Sequence, residues 1–295
     1  MSPGLWLAHK PEGPDSYSVV KRALERSGPR PWPMCHGGAL DPFASGLMLV
    51  LVGPATKVFS HLHALPKTYR ATIRWGVETD NLDPLGQVVA EGDASHLTAE
   101  AIDAQLKKLL GWTDQVPPRH SNKRIGGERA WRKAQRGEVF EVPASKVYLH
   151  SATVLAHRLP NETELELTCR GGYYVRALAR DLGRALGVPA HLSKLARPAI
   201  GPWSDVEGAE LTAAPQLLGW WPARTLTDEE VGRLRKKEPI AYGTVHPPGW
   251  NFPPGFPTVE GDVRGLHQGK LSFLLRREGD LLRAATSLGR GLQPL

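Results

Sequence analysis

Between Lys67 and Trp75 the side chains alternate: Tyr69, Ala71, Ile73 and Trp75 point one way, and Thr68, Arg70, Thr72 and Arg74 the other. That is the period of a half-buried strand. From Tyr173 to Leu186 the period changes. Val175, Leu178, Ala179, Leu182 and Leu186 share one face and Arg176, Arg180 and Arg184 the other, a helix that Gly187 and Pro189 stop. Gly4 to Ala8 reads as a short strand, followed by a Pro11–Gly13 turn and a helix from about Ser18 to Arg26, with Asp15-Ser16 as its N-cap. Ala55 to Leu65 reads as helical, and Thr98 opens a helix to about Leu110. Strands are expected near Val147–Ala156 and Glu164–Cys169, and a loop over Thr79–Gly86.

Residues 36–46 break every period. They are small and turn-forming, and they precede the apolar run Leu47 to Val52, so they read as an ordered loop resting on a buried element. After about Pro222 the texture shifts. A short helix over Thr227–Arg235, an irregular Pro, Gly and aromatic stretch over Val245–Pro257, and short strands at Leu271–Leu275 and Asp280–Ala285 suggest a small β-rich domain. The expected division is 1–222 and 223–295.

Composition changes this picture little. The 295 residues, 41% hydrophobic and 23% charged, suit a globular chain able to bury a core without disulfides or metals. Cys35 and Cys169 are too few for a zinc ribbon or finger and read as free thiols in a reducing cytosol. No basic start with a long apolar core follows Met1, and Leu47–Val52 is far short of the roughly 20 residues of a membrane span, so a cytoplasmic protein is expected. The formal net charge of +7 draws polyanions. It is concentrated over 117–137, where Arg119, Lys123, Arg124, Arg129, Arg132, Lys133 and Arg136 face one Glu, with Trp131 among them. Such a run is either a solvated charged surface or a phosphate-binding one.

Five blocks carry a resemblance. They are Lys10-Pro11-Glu12-Gly13; His36-Gly37-Gly38-Ala39-Leu40-Asp41-Pro42-Phe43-Ala44-Ser45-Gly46, followed by Gly53-Pro54-Ala55-Thr56-Lys57; and Lys67-Thr68-Tyr69-Arg70 with Gly76 and Thr79-Asp80. The remaining two are Cys169-Arg170-Gly171-Gly172-Tyr173-Tyr174-Val175-Arg176 with Asp181-Leu182-Gly183, and Ala190-His191-Leu192. In this order and spacing they resemble the bacterial tRNA pseudouridine-55 synthases through most of residues 4–204.

The resemblance implies an α+β pseudouridine synthase fold: a mainly antiparallel central sheet flanked by helices, plus a small C-terminal PUA-like RNA-binding domain. It implies conversion of one T-loop uridine of tRNA to pseudouridine, with no cofactor and no metal. The bond from ribose to N1 of uracil breaks, the base turns, and a bond to C5 forms, so atoms and electrons balance within the nucleotide. Asp41 matches the family's catalytic aspartate. A carboxylate ionised at neutral pH serves as nucleophile or base at the nucleotide; taken alone, an Asp before a Pro only caps a turn.

Arg176 matches the arginine that pairs with that aspartate. A cation about 4 Å away is worth roughly 4 kcal/mol in an intermediate dielectric, before desolvation. Tyr69 matches the active-site tyrosine, able to stack on the extracted uracil, although its strand face also suits a core aromatic. His36, Tyr174 and Leu195 match positions lining the pocket of the flipped nucleotide. Lys10 either shapes the site's floor or contacts phosphate. The 117–137 stretch resembles the family's RNA-contacting insert, with Lys123, Arg124 and Arg129 the candidates for phosphate and Trp131 an anchor.

Three positions depart from the family pattern: His9 where Asp is usual, Gly37 where Thr is common, and Ala196 where Arg is common. The expected partner is tRNA, without a membrane, by a monomer needing no other protein.

Overall fold

The computed structural model describes residues 1–29, 31–208, 210–214, 217–258 and 262–292. The expected domain spans 1–222 and 223–295 include Arg30, Ala209, Pro215, Gln216, residues 259–261 and residues 293–295, which lie outside the described residues. The chain folds into two compact units. One holds Met1–Asp41, Gly46–Leu65 and Gly201–Leu295, the other Pro42–Ser45 and Pro66–Ile200.

In the first unit, β1 (Gly4–Lys10), α1 (Ser16–Glu25), β2 (Met34–His36) and β3 (Ser45–Val52) are followed by a 3₁₀ turn over Gly53–Val58 and by α2 (Phe59–His63). The stretch expected as one helix over Ala55–Leu65 is therefore split between this 3₁₀ segment and the short α2. β1 runs antiparallel to β3 along its whole length, and β2 pairs with the far end of β3. Leu47 to Val52 are all at most 1% exposed, which accounts for the unbroken apolar run. α1 starts at Ser16, where the Asp15 carboxylate accepts from the Ser18 N–H at 2.9 Å and satisfies one orphan donor.

After the short strands β13 (Trp203–Ser204) and β14 (Thr212–Ala213), the latter on the outer edge of β1, a second sheet forms. It comprises β15 (Ala223–Thr225), β16 (Ile240–Ala241), β17 (Val263–His267), β18 (Lys270–Glu278) and β19 (Leu281–Leu292), in the order β15-β17-β18-β19-β16. α6 (Asp228–Arg235) opens on a capping box between Thr227 and Glu230. The sheet has a core of its own: Leu226, Val231, Leu234, Ile240, Val263, Phe273, Leu275 and Leu282. β18 and β19 outrun the expected short strands. Their exposed ends, such as Arg276–Glu278, are held by cross-strand pairing rather than by alternation. The Val245–Pro257 stretch is irregular as expected, and its Trp250, Phe252 and Phe256 rings pack in series, with Trp250 and Phe252 also against Trp220.

The second unit is built on β4 (Lys67–Trp75), with β5 (Val77–Thr79), β6 (Val88–Glu91), α3 (Ala99–Lys108), β7 (Gly111–Gln115), β8 (Arg124–Ile125), β9 (Glu128–Arg129) and α4 (Ala130–Gln135) following. β10 (Ser145–Arg158), β11 (Glu162–Cys169), α5 (Val175–Leu186) and β12 (Ala190–Ile200) complete it. Its sheet runs β12-β4-β11-β10-β7, antiparallel throughout. β4 spans the predicted residues, with Tyr69, Ala71, Ile73 and Trp75 buried. β12 is absent from the sequence reading: two register shifts and Pro198 break its alternation. The arginine face of α5 is not solvated as its periodicity suggested. Arg176 and Arg180 are buried and only Arg184 is exposed, because the guanidinium groups of the first two reach carbonyls of the segments over the helix.

Candidate active site

Two sets of site residues form, one in each unit. In the first, the loop between β2 and β3 carries Asp41. Ser16, the first residue of α1, fastens it: the hydroxyl donates to the Leu40 carbonyl and accepts from the Leu40 N–H, both at 2.7 Å. Leu40 is buried, so the half-buried Asp41 follows a fixed backbone. Gly37 belongs here for a steric reason. Its N–H donates to the Leu49 carbonyl at 2.7 Å, and a Cβ would lie 2.9 Å from that of Leu49. The Thr usual at this position would force β2 and β3 apart. His36, half-buried, pairs with Val50 across the same ladder. Lys10 is fully buried and its ammonium donates to the Pro11 carbonyl at 3.0 Å. His9, in the place of the usual Asp, sets its Nδ1 2.8 Å from the Asp205 carboxylate.

In the second unit, Tyr69 and Leu195 come together on one sheet face. Leu195 lies opposite Ala71, two residues along β4 from Tyr69, and both are buried. Arg197 joins them. It is 1% exposed, and its guanidinium carbon stands 5.9 Å from the Tyr69 ring centre. Lys67 is also buried on this face. Burial, then the Arg197 charge, pushes its ammonium down to about 7, while burial pushes the Cys169 thiol up to about 12.

Arg176, the second residue of α5, points its guanidinium at the loop between β5 and β6. One nitrogen donates to the Asn81 carbonyl at 2.7 Å and lies 3.4 Å from the Asp83 carboxylate. The other donates to the His120 carbonyl at 2.8 Å. Tyr174 is held to β7 by a reciprocal pair: its N–H donates to the Gln115 side chain at 2.9 Å, and that amide donates back to the Tyr174 carbonyl at 3.2 Å.

Sequence reading missed Asp83 and Arg197. Asp83 had a local signal: Thr79 sits four residues before it, and its hydroxyl both donates to and accepts from the Asp83 backbone, closing the loop. Arg197 had none, because the bulge that turns it inward is a tertiary feature.

The basic stretch is a hairpin, β8 turning over Gly126-Gly127 into β9, followed by α4. Its seven cations are not equivalent. Arg136 is clamped by Glu128 and Glu138, and Lys133 by Glu138. Lys123 donates to the Ser145 hydroxyl, Arg124 to the Gly127 carbonyl and Arg129 to the Asn122 side chain, all neutral acceptors. The backbone of Trp131 ties the hairpin to Ser121, and Arg132 lies over the Trp131 ring. Among the described residues, no group of three or more His, Cys, Asp or Glu is placed to hold a metal ion.

The α+β fold is shared with solved structures. A chain of a Cbf5-Nop10-Gar1 complex aligns at a TM-score of 0.67 and 20% identity over 97% of this chain and 85% of that one. This is the class of pseudouridine synthase folds. The model of the TruB family pseudouridylate synthases, N-terminal domain, matches residues 30–175. The tRNA pseudouridine synthase B of Thermobifida fusca is 34% identical over 288 residues, 92% of this chain and 96% of that protein. That of Mycobacterium tuberculosis (strain CDC 1551 / Oshkosh) is 40% identical over 207 residues, 68% of this chain and 67% of that one. The chain belongs to the TruB family of pseudouridylate synthases.

Proposed function

We propose that this chain isomerises the T-loop uridine at position 55 of tRNA to pseudouridine, without a cofactor, as a cytoplasmic monomer. The observation that carries this reading is the Asp41 loop. The resemblance assigns the catalytic carboxylate to Asp41, and a hydroxyl-pinned, close-packed turn carries it.

Asp41 acts on the nucleotide as nucleophile or base. Once the N1 bond to ribose has broken, the uracil turns; His36, Tyr69, Tyr174 and Leu195 are the residues that the resemblance assigns to binding it. C5 then bonds to the ribose carbon and loses its proton, and N1 takes one up, so the composition of the nucleotide is unchanged. Tyr69 offers a ring to stack on and a hydroxyl for the C5 proton. In this reading residues 223–295 are assigned to a PUA-like RNA-binding domain and 1–222 to the catalytic one.

The test is pseudouridine mapping in an unmodified tRNA transcript incubated with the pure protein. The modification is expected at position 55 without guide RNA or partner protein. A chain inactive alone but active with a guide particle would be a guide-dependent subunit instead. Asp41→Asn is expected to abolish product while tRNA affinity changes less than about threefold. Full turnover by this variant would eliminate the aspartate mechanism, and full binding without turnover by the parent would leave a non-catalytic tRNA-binding protein.

A further inference from the structure

We infer that Arg197 is a positioning residue for the isomerisation: its guanidinium backs the Tyr69 ring and holds it as the fixed platform on which the detached uracil turns. The inference rests on the reading of Tyr69 above and names a residue outside the set that sequence resemblance supplied.

Three observations carry it. First, Arg197 lies inside an irregularity. After a first shift between Leu192 and Lys194, β12 pairs with β4 as far as Ala196 opposite Arg70, then slips again, and pairing resumes at Ala199 opposite Thr68. The slipped segment is Arg197-Pro198, where a proline lacks the N–H a regular ladder would need. Bulges of this kind re-aim a side chain.

Second, the re-aimed side chain is buried on the face of Tyr69 and Leu195, with its guanidinium carbon 5.9 Å from the Tyr69 ring centre, within cation–π range.

Third, the position is electrostatically expensive. Arg197 stands near the buried Lys67 ammonium, whose charge its own disfavours. A buried guanidinium calls for contacts that offset its lost hydration, and the Tyr69 ring is one of them. Ala196, where the family commonly has Arg, leaves Arg197 as this chain's arginine at that point of the strand.

The chemistry has a use for such a task. Between cleavage of the N1 bond and formation of the C5 bond, the uracil is held by no covalent bond to its ribose. A ring that rotated with the base would lose the geometry of attack. A guanidinium is planar and stacks on an aromatic face, so it resists that rotation where an ammonium resists it less.

Two variants, Arg197→Met and Arg197→Lys, test the inference against the parent by tRNA affinity, single-turnover rate and thermal melting. Arg197→Met is expected to bind tRNA within about threefold of the parent, to melt no lower, and to isomerise about thirtyfold more slowly. Arg197→Lys, which keeps the charge, is expected to recover a substantial part of that rate. The inference is overturned by an Arg197→Met rate within about threefold of the parent, by a rate loss matched by lost affinity or lower melting, or by Arg197→Lys being as slow as Arg197→Met. A parent with no activity on tRNA would sink the proposed function instead, and the two failures are distinct.

Discussion

Lys67 is the residue whose environment differs most from its sequence appearance. It reads as the polar start of a strand, yet it is buried, and its ammonium is pushed down to about 7 by burial first and by Arg197 second. The unfolded chain therefore binds the Lys67 proton between about pH 7 and pH 10.4, where the folded chain has lost it. Stability rises with pH wherever the unfolded state holds more protons. Cys169 works in the opposite sense: its folded thiol is held up to about 12, so above about pH 8.5 the unfolded chain loses a proton the folded one keeps. The net rise is thus confined to the window from 7 to about 8.5, where Lys67 contributes about 2 kcal/mol. Denaturant unfolding at the two ends of that window should show the increase, and Lys67→Met should remove it. A flat parental profile would mean that the ammonium keeps its charge.

Among the elements, α5 and the basic hairpin make separate demands. α5 approaches β12 so closely at Gly183 that a Cβ there would stand 2.5 Å from the Val188 carbonyl and 2.9 Å from the Ala190 Cβ. Gly183→Ala forces the helix off the strand at a cost of about 1–3 kcal/mol, an overpacking penalty. Equilibrium unfolding measures it, and an unchanged midpoint would show that the contact yields. The hairpin's role is electrostatic. Lys123, Arg124 and Arg129 are bonded to neutral acceptors, unlike the carboxylate-clamped Arg136. Replacing the three by Ala should weaken tRNA binding and flatten the plot of log affinity against log salt by up to about three phosphate contacts. If the slope stays as in the parent, the hairpin does not touch the backbone. The same replacement for Arg136 should alter the slope less.

At the scale of the whole molecule, the net charge of +7 favours long-range capture of RNA and disfavours self-association. Sedimentation of the free protein should give the mass of one chain, and a dimer would contradict the monomeric reading. Among the described residues, no helix is long and apolar enough to cross a membrane.

Periodicity and local chemistry determined a good deal on their own. β4, α5 and the strands over Ser145–Arg158 and Glu162–Cys169 follow from alternation at 2 and 3.6, and the caps at Asp15, Thr98 and Thr227 from short polar side chains before apolar runs. The blocks around Asp41 and Arg176 led to the family, because each packs several residue types into a fixed spacing. Only the tertiary structure decided the rest. β12 and its inward-turned Arg197, the burial of Arg176 and Lys67, and the binding of Arg176 by Asn81, Asp83 and His120 all depend on partners 56 to 133 residues away. A local pattern records which face of an element is apolar. It does not record which distant carbonyl or ring will make a buried charge tolerable, and that choice set the electrostatics around Tyr69 and Arg176.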